Sequence, residues 1–228
     1  MENGYGVMID VDGVIADTEA VNRAVSIRVF ADLFGIKGVR PEDFEAGLGR
    51  GAEEYVKAAA AVHGRKLSAA QVAEATSLRQ RYFIDSLRRK PLAPYPGVLE
   101  LMQAVLADNS FRAAIATSGT REKSQAVLDS ARVPYDKMVY VSGSDVKNKK
   151  PHPGLFATAA ARLSIPPNRC AVIEDAPNGI RAAHAAGCRC IAVTNTTTRQ
   201  KLAEADLIVD SLESISLERI ISLLAGPT

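Results

Sequence analysis

Val7-Met8-Ile9-Asp10-Val11-Asp12-Gly13-Val14-Ile15-Ala16-Asp17-Thr18 is the stretch on which the reading of this chain turns. An apolar run leads directly into two carboxylates two residues apart, and a glycine then breaks it. Residues two apart on a strand share a face. Asp10 and Asp12 therefore project together from the strand end. Two like charges this close repel, and a cation or a proton must balance them. Taken alone, the run fits either an acidic turn or a site with chemistry.

The same grammar recurs downstream. Short apolar strands are expected at 6–9, 113–116, 138–141, 170–173, 189–193 and 207–209. Amphipathic helices are expected between and after them at 97–107, 121–131, 153–163, 178–186 and 216–224. Strand and helix alternating in this way predict an α/β fold, a doubly wound (Rossmann-like) parallel sheet covered by helices. The strands are apolar almost throughout, as burial on both faces requires.

One region departs from the rhythm. From Thr18 to Lys90 the pattern is helical, with helices expected at 19–34, 41–46, 52–63 and 68–89. Ser68 is placed to cap the last of them. The alanine-rich 56–62 segment suits close helix packing. Pro91-Leu92-Ala93-Pro94-Tyr95-Pro96-Gly97 cannot continue a helix and marks the return. The expected organisation is a core of 1–16 with 91–228 and an inserted four-helix cap of 17–90. In open α/β sheets ligands bind at strand ends of the kind from which the insertion springs, so a cap there could cover the site and exclude water.

Composition narrows the classes. The 228 residues carry 28 basic and 26 acidic side chains, and 47% of them are hydrophobic. That balance gives no reason to expect nucleic acid or a membrane as partner, and no apolar stretch approaches the roughly 18 residues of a membrane span. The first strand begins too early to leave room for a signal peptide. Cys170, Cys188 and Cys190 form no framework and fit a reducing, cytoplasmic setting. Cys188-Arg189-Cys190 lies in an apolar strand pattern and reads as core thiols.

Three further strand ends carry polar groups. Thr117-Ser118-Gly119-Thr120 precedes a helix, where hydroxyls and amides serve either as an ordinary cap or as a phosphate cradle. Val146-Lys147-Asn148-Lys149-Lys150-Pro151-His152-Pro153 pins the backbone after Lys150, with Lys147 and Lys149 read as solvent-facing. His152 is either a ligand or a turn residue. Ala171-Val172-Ile173-Glu174-Asp175 sends a second pair of acids off a strand, and hard oxygen ligands from separate strand ends suit Mg²⁺.

In this order the motifs resemble the haloacid dehalogenase superfamily of phosphotransferases. The resemblance rests on Asp10-x-Asp12-Gly-Val-x-x-Asp17-Thr18, Thr117-Ser118-Gly119, Lys150-Pro151-x-Pro153 and Glu174-Asp175-x-x-x-Gly179. Pro94-Tyr95-Pro96-Gly97-Val98 and Gly187 add to it. It extends over the whole chain and is strongest to the beta-phosphoglucomutase-like branch of sugar phosphatases and mutases.

The resemblance implies that Asp10 is a nucleophile forming an aspartyl-phosphate and that Asp12 is the acid and base. Thr117 and Lys150 would hold the transferring phosphoryl group beside Ser118 and Gly119. Mg²⁺ would be bound by Asp10, Asp175, the Asp12 carbonyl and Glu174, the last directly or through water. Asn22 and Arg50 are the implied substrate-facing cap residues, and Arg79 and Arg81 are further cap candidates. The acid at position 12 separates the chain from carbon–halogen hydrolases and phosphonate hydrolases, which lack it. Mutases of the branch carry a histidine where Asn22 stands and a lysine where Ala46 stands, so a phosphatase is expected over a mutase. A phospho-receiver module shares paired acids and a lysine but is shorter and lacks the insertion. The expected partner is a small phosphorylated metabolite, and the expected state a monomer.

Overall fold

The computed structural model describes residues 4–47 and 51–226. Arg50 lies outside them. The described residues form two compact units, one of 4–17 with 92–226 and one of 18–47 with 51–91.

The first unit is built on six parallel strands: β1 (Tyr5–Ile9), β2 (Phe111–Ala116), β3 (Val139–Val141), β4 (Cys170–Glu174), β5 (Arg189–Val193) and β6 (Leu207–Val209). They lie side by side in the order β3-β2-β1-β4-β5-β6. This is a doubly wound sheet whose strand order reverses between β1 and β4, the place where such sheets bind ligands.

The strands are apolar because both faces are covered. Met8, Ala114, Ala116, Cys170, Val172, Cys190 and Ala192 join Leu155, Phe156, Ala159, Ile180 and Ala183 in one buried cluster. These last five belong to α6 (Gly154–Leu163) and α7 (Pro177–Ala185). The alternate strand residues, including Val7, Ile9, Ile115 and Ile173, are equally buried and point the other way. α4 (Val98–Ala107) packs on β2, and α8 (Leu217–Ala225) packs on β4. α5 (Arg121–Ser130) follows β2. The three cysteines are free and buried, and burial pushes the Cys170 and Cys188 thiols up to about 12. They are packing residues.

β2 starts two residues before the expected 113. Phe111 pairs with Tyr5 in the ladder, and their rings meet at 5.4 Å. That long-range contact extends a strand which exposed Arg112 would otherwise end.

The second unit contains α1 (Thr18–Phe34), α2 (Ala52–Val62) and α3 (Ala69–Arg89). The helix expected at 41–46 is a 3₁₀ run, Pro41–Gly47. Pro41 brings no N–H, and the Asp43 carboxylate accepts from the Arg40 amide at 2.9 Å, a local bond that competes with a regular helical ladder. Ser68 caps α3 as expected, in a reciprocal box with Gln71. The core of this unit is aromatic: Phe44 stacks on Tyr55 at 4.6 Å and meets Phe30 edge-on at 5.6 Å. Among the described residues no helix is long and apolar enough to cross a membrane.

Phe44 is fully buried at the centre of this cluster. Phe44→Ala is expected to cost about 3–5 kcal/mol, read as a lower midpoint in urea denaturation.

Candidate active site

β1 ends at Ile9, and the chain leaves the sheet in a tight loop. Ile15 N–H donates to the Val11 carbonyl and Gly13 N–H to the Ala16 carbonyl. Gly13 has φ +78°, and a Cβ there would stand 2.0 Å from Asp175 Oδ2. Only glycine admits both the turn and that approach. The loop is further held by Asn195, whose amide donates to the Gly13 carbonyl at 2.9 Å.

This geometry sets the first expected acid against the fourth strand. Asp10 is only 6% exposed, and its backbone N–H donates to the Ile173 carbonyl. Lys150 Nζ donates to Asp10 Oδ1 at 2.6 Å and to Glu174 Oε1 at 2.5 Å. The other Glu174 oxygen accepts the amides of Asp175 and Ala176 at 2.9 and 3.1 Å. Gly179 makes room for it, since a Cβ there would fall 1.9 Å from the Glu174 carboxyl. Asp175, 8% exposed, receives the Thr196 hydroxyl at 2.5 Å.

Three buried carboxylates thus lie near one buried ammonium, which bonds two of them. Burial raises the Asp10 pKa to about 7, opposed by Lys150 and reinforced by Glu174. Burial also holds Asp175 well above the usual carboxylate range, and Glu174 and Asp10 add to it. For Lys150, burial alone would lower the pKa, but Asp10 and Glu174 outweigh it and raise the group. The cluster carries a charge deficit that a divalent cation would relieve.

The donor set has a definite shape. Among the described residues no three His, Cys, Asp or Glu side chains form a ready cluster for a metal. Glu174, expected among the ligands, has one oxygen on Lys150 and the other on two backbone amides. It holds the lysine in place beside the buried carboxylates of Asp10 and Asp175. Two carboxylates fit Mg²⁺, which takes few protein ligands and keeps water and phosphate oxygens for the rest.

The remaining site residues line the neighbouring strand ends. Thr117, at the end of β2, is 1% exposed, and its hydroxyl accepts the Gly119 amide at 3.2 Å. Gly119 returns a carbonyl to the Gly143 amide after β3, which fixes the 117–119 turn. Lys147 and Lys149 are exposed. His152, just before α6, is exposed, and its Nδ1 accepts the Gly154 amide at 3.1 Å. Asn22 is buried in the helical unit, where Arg79 donates to its side-chain oxygen at 3.2 Å. Arg81 is exposed in that unit.

Two partners in the site escape the strand-end reading. Thr196 follows β5, beyond the four motifs. Lys123, in the first turn of α5, reaches both oxygens of Asp12 at 2.9 and 3.2 Å. A signal for Lys123 was present in the sequence: a lysine in a helix's first turn opposes the helix dipole and calls for an acidic partner.

A family model described as haloacid dehalogenase-like hydrolase matches residues 6–187. The chain is 31% identical to hexitol phosphatase A of Escherichia coli over 215 residues, covering 94% of each. It is 32% identical to the SUPPRESSOR OF QUENCHING 1 protein of Arabidopsis thaliana over 95% of its own length, and spans 20% of that larger protein. The fold superposes on a mutant of CbbY from Rhodobacter sphaeroides, solved with xylulose-(1,5)bisphosphate, at a TM-score of 0.81 and 27% identity. That match covers 96% of this chain and 99% of the other.

The raised acids set a pH dependence. Folded Asp10 holds its proton more tightly than the unfolded chain. Its contribution to stability is full below the ordinary value of 3.8 and is lost as pH rises to about 7. Asp175 acts in the same direction. In chelator, the melting temperature is expected to fall between about pH 4 and about pH 7, and Asp175→Asn should flatten that fall. A thermal-shift series across this range reads both.

Proposed function

Because the chain belongs to the haloacid dehalogenase-like hydrolase family, we propose that it is a Mg²⁺-dependent phosphatase. Its substrate is a small phosphorylated metabolite of the sugar-phosphate class. The observation that carries this reading is the excess of buried carboxylate at the ends of β1 and β4, set around one lysine. The substrate class is supported by the names of the relatives: one is a hexitol phosphatase, and another was solved with a sugar bisphosphate.

Asp10 is the nucleophile. One of its oxygens attacks phosphorus as the ester P–O bond breaks, giving an aspartyl-phosphate. Asp12 hands a proton to the departing oxygen, then takes one from the water that attacks the intermediate and restores Asp10. The products are phosphate and the alcohol. Lys150 and the Thr117 hydroxyl hold the phosphoryl oxygens, with the Ser118–Gly119 turn beside them. Charge placement of this kind is most of what a protein contributes to so loose a transition state. Glu174 acts through Lys150, holding the ammonium in place.

Asp10, Asp175 and the Asp12 backbone carbonyl are the proposed metal ligands. Bound there, Mg²⁺ would screen the repulsion between the attacking carboxylate and the phosphate dianion. Asn22, where related mutases carry histidine, favours water over a second sugar phosphate as the final acceptor. The helical unit is assigned as the cap, with Asn22 and Arg50 proposed for substrate recognition.

Hydrolysis of p-nitrophenyl phosphate should require added Mg²⁺ and stop with EDTA. Asp10→Asn should reduce kcat by at least about 10⁴-fold while keeping a cooperative thermal transition. Residual turnover near the wild-type level would remove Asp10 as nucleophile. Asp175→Asn should weaken activation by Mg²⁺, seen as a higher concentration for half-maximal rate.

A further inference from the structure

Lys123 is the third residue of α5, whose N-cap is Thr120. The Thr120 hydroxyl accepts the Lys123 amide at 3.3 Å and fixes the start of the helix. A cation in this turn faces the positive end of the helix dipole. Long helical side chains point back toward the N-terminus, and here that direction leads to the end of β1. Lys123 Nζ lies 2.9 Å from one Asp12 oxygen and 3.2 Å from the other, across 111 positions of sequence. The lysine side chain is 18% exposed and that of Asp12 36%.

Two features make this contact more than a surface ion pair. It reaches both carboxylate oxygens from one ammonium, which fixes the direction in which the group points. The carboxylate also passes over a residue without a side chain. A Cβ on Gly119 would stand 3.7 Å from Asp12 Oδ2 and 3.5 Å from the Thr117 hydroxyl. Asp12 is thereby drawn to the side of the site on which Thr117 stands. Lys150 serves a different pair, Asp10 and Glu174. The site uses two lysines for separate carboxylates.

We propose that Lys123 is a positioning residue that aims the Asp12 carboxyl at the leaving oxygen of the phosphate ester. This rests on the reading of Asp12 as the proton carrier. A half-exposed aspartate at a strand end has several side-chain rotamers open to it. Proton transfer succeeds only from the one within hydrogen-bond reach of the leaving oxygen. Lys123 selects that orientation from the helix that follows the Thr117–Gly119 turn. It does not touch the reacting atoms.

The test compares two esters with the same ring. p-Nitrophenyl phosphate releases a stable phenolate that needs little proton assistance, whereas phenyl phosphate needs more. With Mg²⁺ present, Lys123→Met is expected to lose about tenfold more kcat on phenyl phosphate than on p-nitrophenyl phosphate. Lys123→Arg, which can grip both oxygens again, should recover most of that difference. In an Asp12→Asn background, Lys123→Met should change kcat on either ester by less than about twofold, because its route of action is already gone. Equal losses on the two esters, or a further large loss in the double variant, would overturn the role of Lys123 while leaving the phosphatase reading intact. Failure of the wild type to hydrolyse p-nitrophenyl phosphate with Mg²⁺ would overturn the phosphatase reading, and this proposal with it.

Discussion

The Lys150 ammonium sits between Asp10 and Glu174, at 2.6 and 2.5 Å, with a tenth of its side chain exposed. Most of the site depends on this contact. It joins the end of β1 to the end of β4 at the point where the strand order of the sheet reverses. A lysine buried to this degree is tolerable only between carboxylates, and carboxylates buried to this degree need a cation. The single ammonium leaves them undercompensated, and burial then drives Asp10 and Asp175 toward their protonated forms. A site with this imbalance is suited to a divalent ion and a phosphate together, because each supplies charge that the other requires.

The sheet makes the arrangement possible. Parallel strands buried on both faces send their ends to one edge, so residues far apart in sequence meet there without bending the backbone. Asp10, Thr117 and Glu174 each lie at or just past such an end. The local chemistry then depends on absent side chains. Gly13 lets the loop after β1 pass Asp175, and Gly179 lets α7 begin beside the Glu174 carboxyl. An alanine at either place would collide with a carboxylate that the site uses.

The acids follow a division of labour set by their partners. Asp10 is deep and held by Lys150. Asp175 is deep and held by a hydroxyl, that of Thr196. Asp12 is half exposed and held by Lys123. Glu174 has one oxygen on Lys150 and the other on two backbone amides. Four acids of similar intrinsic strength thus acquire different environments from the fold alone, and different tasks become open to them.

Much of this was legible in the residue order. Runs such as Val7–Ile9 and Ala171–Ile173 must lie in a buried parallel sheet, because no other arrangement covers both faces of strands that apolar. The acids and hydroxyls that end those runs must gather at one edge, since parallel strands share a direction. The helical character of the insertion followed from its periodicity, although its 41–47 segment winds as a 3₁₀ run because an aspartate–amide bond and a proline override the regular ladder. What only the tertiary structure decided was the pairing. Which lysine meets which acid, that Glu174 turns to Lys150 and the backbone, and that Lys123 and Thr196 complete the set depend on distances across tens to hundreds of residues. Periodicity and spacing describe neighbours along the chain. Salt bridges and desolvation depend on neighbours in space, and packing alone chooses those.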